Sequence, residues 1–290
     1  MSNPSRATPP GAESPEQVIA RYEAALAFLQ DKGLRMVGRF KKCQHVVTKY
    51  RKRGEAPLDV LPQAFLDLYQ LARVVECLGH RRDDVFLGKL KLLVSDHQDP
   101  RIGKSSLGRD TQSELFLAAE LAARGIDVSI EEPDLIAHIG WYHFGIAVKR
   151  PKALGTLRRN IKKAARQLWR EGFGEPSITH GLLAIDVTFL ANEEGRAVVD
   201  PDLPAGAESA DRMLVGPVAD YLESTDLMSG LLHKLDSDHV RLCSAVVLVG
   251  AVTQLEKSGG VINSVAFRTI HLGGHFAEAL GEFSRAVRCS

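Results

Sequence analysis

Residues Glu132 to Gln167 read EPDLIAHIGWYHFGIAVKRPKALGTLRRNIKKAARQ. Two short apolar runs, Asp134 to Ile139 and Tyr142 to Val148, have the length and composition of strands. In the second, strand alternation places His143, Gly145, Ala147 and Lys149 on one face and Tyr142, Phe144, Ile146 and Val148 on the other. The apolar set is the expected core face, which leaves the small and polar set to open on a cleft. From Leu154 to Arg170 the period lengthens to that of a helix, with Leu157, Ile161, Ala165 and Leu168 forming one apolar stripe.

Working outward, Thr111 to Arg124 (TQSELFLAAELAAR) is an amphipathic helix, and Gly125 suits its C-terminal stop. An apolar stretch around Val128 supplies one more strand, and Gly181 to Leu190 (GLLAIDVTFL) reads as a buried one. The resulting order is helix, three strands, helix, strand. That order predicts an α/β fold with a mixed sheet flanked by helices. Glu193 to Asp226 is acidic and rich in Pro, Gly and Ala, which predicts a long loop with a helix near its end. Val240 to Val252 and Val261 to Leu272 are expected as strands joined through Ser258-Gly259-Gly260, with a last helix from His275 to Val287. Upstream, Ser14 to Gln30, Leu58 to Leu78 and Asp84 to Val94 carry helical periodicity, so the first hundred residues are expected to be all-helical. The predicted organisation is a tail over 1–13, a helical N-terminal domain over 14–100 and an α/β domain over 105–290. The polar stretch Asp96 to Ser106 connects the last two.

The chain has 290 residues with 37 Lys and Arg against 36 Asp and Glu, so net charge by itself points to no partner. The four cysteines, Cys43, Cys77, Cys243 and Cys289, form no CxxC pair, which argues against a structural zinc site and for reduced thiols in the cytoplasm. No run of about 18 apolar residues occurs, so no membrane partner is expected. The Pro- and Ser-rich start has no apolar core of a signal peptide. No GxxxxGK[ST], HExxH or GxSxG motif is present, which argues against an NTPase, a zincin or an esterase.

Four features fall in order along the chain. Glu114 lies on the first helix and Pro133-Asp134 opens a strand. Lys149 closes the next strand, and Gln167 sits on the basic helix that follows. From about Gly108 to Leu190 this set resembles the PD-(D/E)XK, restriction-endonuclease-like nuclease superfamily. The resemblance implies a metal-dependent nuclease that hydrolyses phosphodiester bonds, DNA ahead of RNA, in a restriction, defence or repair setting. It implies Mg2+ or Mn2+ as cofactor, with Asp134 as primary ligand, Glu114 as secondary ligand and the Val148 carbonyl completing the shell. Lys149 would position the attacking water. The chemistry fits these residue types, because magnesium takes oxygen ligands and lowers the pKa of a bound water.

Ala147 stands where the family has its second carboxylate. Three explanations are open: an engineered inactivation, a substitute carboxylate from Glu114, Glu131, Glu132 or Asp186, or a domain that binds nucleic acid without cutting it. Asp186, isolated in an apolar strand, needs a partner, either a metal or Lys149. His138 and His143 flank the strand turn and are either cleft or surface histidines. His271 and His275 read as loop residues.

The helix after Lys149 carries Arg158, Arg159, Lys162, Lys163, Arg166 and Arg170 with no acid among them, a composition suited to phosphate contact. With Gln167, these residues are the expected nucleic-acid interface. A second basic cluster, Arg35 to Arg53 (RMVGRFKKCQHVVTKYRKR), has eight Lys and Arg, no acid, and Phe40 and Tyr50 interleaved. It suits nucleic acid equally with the acidic Glu193 to Asp226 stretch. The competing readings are a catalytically inactive nucleic-acid-binding module and a protein-binding adaptor. A homodimer or a protein partner would engage the helical domain.

Overall fold

The computed structural model describes residues 15–53, 60–95, 107–168, 170, 178–190, 211–224, 242–255, 261–271 and 277–288. The expected tail, the connector of 96–106, most of the acidic stretch, the Ser258-Gly259-Gly260 turn and His275 lie outside these residues. Four helices come first: α1 (Pro15–Asp31), α2 (Gly38–Arg53), α3 (Leu61–Leu78) and α4 (Asp84–Val94). Two of them begin for a local reason. Pro62 falls in the first turn of α3, where a missing N–H costs nothing. Asp83 caps α4, its carboxylate accepting from the Phe86 N–H at 2.8 Å.

Helix α5 (Leu107–Ala123) stops at Gly125, which takes φ +75°. There the Ile126 N–H donates to the Leu121 carbonyl and the Gly125 N–H to that of Ala122, closing a Schellman turn. Then follow β1 (Asp127–Ser129), β2 (Leu135–Ile139), β3 (Tyr142–Lys149), α6 (Leu154–Gln167) and β4 (His180–Asp186). A five-residue π-turn (Asp211–Val215) runs into α7 (Gly216–Ser224), and β5 (Leu242–Leu255), β6 (Val261–His271) and α8 (Ala277–Arg288) complete the chain. β4 ends at Asp186, four residues short of the expected Leu190, because Val187 to Leu190 turn away.

The six strands form one mixed sheet in sequence order. β1–β2 and β2–β3 are antiparallel, β3–β4 and β4–β5 parallel, and β5–β6 antiparallel. One hydrophobic core fills one face and takes side chains from α1 to α5, from the sheet and from α8. A second core on the other face joins α6, the π-turn and α7 to the sheet. The helices of the first hundred residues therefore share a core with the strands. α3 is their hub, touching α1, α2, α5 and β5. Among the described residues no helix is long and apolar enough to cross a membrane.

A buried charge network fixes this helical layer to the sheet. Asp67 of α3 accepts from Arg39 of α2 at 3.1 Å and from Arg109 of α5 at 3.0 and 3.3 Å. Gln112 bridges, accepting from Arg39 at 2.7 Å and donating to Asp67 at 3.3 Å and to Gln70 at 2.6 Å. Arg150, just past β3, donates to the Arg109 carbonyl at 3.3 Å and ion-pairs with Asp186 at the end of β4 at 3.4 Å. Ser113 donates to the same Asp186 oxygen at 2.6 Å. The guanidinium of Arg39 lies 4.3 Å above Phe40 and that of Arg150 4.2 Å above Phe189, which offsets buried N–H groups without an oxygen partner.

Burial alone would raise the pKa of Asp67, but Arg109 and Arg39 outweigh it and hold the carboxyl below its ordinary range. Its contribution to stability is therefore complete above the ordinary aspartate range and is lost as pH falls through the lowered value. Removing this carboxylate strands two buried cations. Asp67→Asn should lower the unfolding free energy by about 3 to 5 kcal/mol in a denaturant titration. A loss below about 1 kcal/mol, the worth of an exposed pair, would show that the network does not carry the packing.

Candidate active site

Asp134 immediately precedes β2 and Lys149 closes β3, so antiparallel pairing of these strands brings the two residues to one end of the sheet. Lys149 Nζ lies 3.3 Å from Asp134 Oδ2, 2.8 Å from the Val148 carbonyl and 2.5 Å from Gln167 Oε1. Gln167 turns its amide nitrogen to Asp134 Oδ1 at 2.9 Å and to the Pro133 carbonyl. Asp134 Oδ2 also accepts the Val148 N–H at 2.7 Å. Aspartate, lysine and glutamine thus form a closed triangle at the carboxyl end of β3, the end of parallel strands where α/β proteins place ligands.

Glu114 approaches from α5. Burial raises its pKa above the ordinary glutamate value, the Asp134 charge raises it further, and Lys89 and Lys149 oppose both. Lys89, from α4, ion-pairs with Glu114 Oε2 at 2.6 Å, both side chains being mostly buried. Two carboxylates therefore stand against two ammonium groups. Lys89 was invisible in the sequence: its partner lies 25 positions away and its own helix reads as an ordinary amphipathic one.

Of the acids that could stand in for a carboxylate at position 147, Glu114 has its pKa raised by the Asp134 charge. Glu131 and Glu132 are exposed on the turn before Asp134. Asp186 is held elsewhere, by Ser113, by Arg150 and by the Thr188 N–H at 3.0 Å. Its cationic partner is Arg150, where the sequence suggested a metal or Lys149.

The face carrying Ala147 also departs from expectation. Ala147 is fully buried in the core formed with Leu157, Ile161 and Leu183, so the surface expected to open on a cleft is roofed by α6. The apolar stripe of α6 needs a partner, and the small residues of β3 supply it. At Gly145 a Cβ would lie 3.0 Å from Ile178 and 3.3 Å from Pro133. His138 and His143 pair across β2 and β3 at the hairpin's turn, their rings 4.4 Å apart, at the opposite end from Asp134. Cys43 and Cys77 are free thiols.

On α6, Arg158, Arg159, Lys162, Lys163 and Arg166 are all exposed, and none pairs with an acid of the described residues. Gln167 alone of the expected interface turns inward, into the triangle. Comparison with known protein families, with curated proteins and with solved structures found no match for this chain.

Among the described residues no three His, Cys, Asp or Glu side chains converge as a ready metal cage. The candidate metal donors are oxygens: the Asp134 carboxylate and the Val148 carbonyl at the triangle, and the Glu114 carboxylate, whose charge couples to Asp134. Such a set suits a hard cation of the magnesium class and not zinc. A cation there would take over the neutralising role of Lys89 and Lys149. Placing an acid at position 147 tests how that face is used. Ala147→Glu should lower stability by about 2 to 4 kcal/mol, because the new carboxyl enters a packed apolar layer. A gain in metal-dependent hydrolysis with unchanged stability would instead mark position 147 as a vacated ligand position.

Proposed function

We propose that this chain is a metal-dependent nuclease of the restriction-endonuclease-like class, acting on DNA ahead of RNA. The observation that supports it most is the triangle of Asp134, Lys149 and Gln167, with Glu114 beside it. The element order α5, β1, β2, β3, α6, β4, with two antiparallel pairs and then a parallel one, agrees with the same reading. Asp134 and Glu114 would hold Mg2+ or Mn2+, with the Val148 carbonyl as a third donor. The ion would polarise the scissile phosphate and supply a water of lowered pKa. Lys149, already fixed by three oxygens, would orient that water. Gln167 would hold Lys149 and Asp134 in register, and α6 would carry the phosphate backbone.

With Mg2+ or Mn2+ present, the protein should nick or degrade DNA. Asp134→Ala and Lys149→Ala should each reduce the rate at least a hundredfold, the scale on which positioned acid–base groups act. Full activity in Asp134→Ala would remove this centre from the reaction.

A second reading, a nuclease-like module that binds without cutting, is favoured by Ala147 and by the ion pair of Lys89 with Glu114. Both readings require α6 to bind phosphates, whereas a protein adaptor does not. Each phosphate neutralised on a duplex adds about 0.9 to the slope of log affinity against log salt, so Arg159, Lys163 and Arg166 changed together to Ala should flatten it by about 2 to 3. Fluorescence anisotropy across a salt series measures this. No binding by the unaltered protein at low salt would leave the adaptor.

A further inference from the structure

The other basic cluster lies on α2, and its use is not exhausted by the proposed reaction. Seven of its eight cations are within the helix, and Arg35 just precedes it. Arg39 is buried in the charge network, whereas Arg35, Lys41, Lys42, Lys49, Arg51 and Lys52 are exposed. None of these six pairs with an acid of the described residues. A helix face that simply meets water usually mixes signs.

The described acids of the 193–226 stretch do not neutralise this face. The described part of the acidic stretch, the π-turn and α7, packs on β5 and β6 in the core of the opposite sheet face. Asp211 there is already paired with Arg268. Helix α2 belongs to the other layer, through Phe40, Cys43 and Val47.

The aromatics of the cluster indicate what kind of nucleic acid it fits. Phe40 is wholly buried and Tyr50 packs edge-on against Phe65 at 6.2 Å, so neither is a platform for an unstacked base. Proteins that hold single strands combine cations with such platforms. Lysines and arginines without them fit the backbone of a duplex, which they contact without reading sequence.

Position connects this face to the candidate active site. Arg39, in the first turn of α2, shares Asp67 with Arg109, whose carbonyl accepts from Arg150, the residue after Lys149. The first turn of α2 therefore sits at the same end of the sheet as Lys149 and the start of α6. From Lys41 to Lys52 the helix rises roughly 17 Å, at about 1.5 Å per residue, enough to follow about five phosphates of one strand at about 3.4 Å each.

We propose that the exposed face of α2 is a second track for the phosphate backbone of duplex DNA, leading away from the catalytic end and separate from the track on α6. The proposal rests on the nuclease reading for its substrate, but binding without divalent metal tests it whether or not any bond is cut. In the full chain, Lys41, Lys42, Lys49 and Lys52 are changed together to Ala, and a labelled duplex of about 24 base pairs, long enough at about 3.4 Å per pair to reach both helices, is titrated by anisotropy across a salt series. The slope of log affinity against log salt should fall by about 3 to 4, with a smaller loss on single-stranded DNA of the same length. Arginine at the same four positions should restore the slope, which a folding defect would not permit. An unchanged slope, an equal loss on the single strand, failure of the arginine set to rescue, or tighter binding of duplex RNA than of duplex DNA would each overturn the proposal.

Discussion

Asp67 is a buried carboxylate that serves two arginines from different helices, and much of the packing depends on it. A charge is tolerated in an apolar interior only when it is paired and its hydrogen-bonding capacity is used. Asp67 meets that condition by accepting from Arg39, Arg109, Gln112 and Gln63. The requirement fixes the rotation of α2, α3 and α5 about their axes, since each must present one polar group at the same point. Arg150 and Asp186 carry the constraint to the carboxyl ends of β3 and β4. Hydrophobic burial supplies most of the driving force for folding, but it is non-directional, and this network chooses the register.

The candidate site benefits from that rigidity through its chain neighbours. Arg150 adjoins Lys149, and Ser113 adjoins Glu114, so two residues of the triangle region are flanked by residues locked in the network. Gln167 completes the arrangement from the other sheet face. The side chains of the site thus come from elements of both layers and are held by backbone and side-chain hydrogen bonds before any ligand arrives. Preorganisation of this kind is what positions charge for catalysis or for tight anion binding.

Much of this was legible in the sequence where the signal was local. The helix of 154–170 and the two strands before it follow from the spacing of their apolar residues, and Gly125 marked a helix end through its φ. Asp134, Lys149 and Gln167, which stand in that order along the chain, are joined by hydrogen bonds at one end of the sheet. What escaped has a common cause. Lys89, Asp67 and Arg39 act on partners 25 to 73 positions away, and no periodicity encodes such pairs. The need of Asp186 for a partner is legible in its apolar strand, but its cation, Arg150, lies beyond the strand end. For Ala147, alternation gives the face and not what covers it; the apolar stripe of α6 decides that.

The shared core also has a consequence for how this fold is inherited. A segment that carries its own counter-charges can be transplanted between proteins, whereas one that borrows them cannot. Residues 105–290 hold Arg109, Arg150 and Asp186, but Asp67 and part of the apolar cover of one sheet face belong to the helices upstream. Excised, the strand-bearing half would keep Arg109 without its carboxylate and uncover the sides of α5 and β5 on which α3 packs. The two halves are thus bound to be exchanged, duplicated or lost together. Gene fusion would find a tolerant junction outside the pair and not between its members.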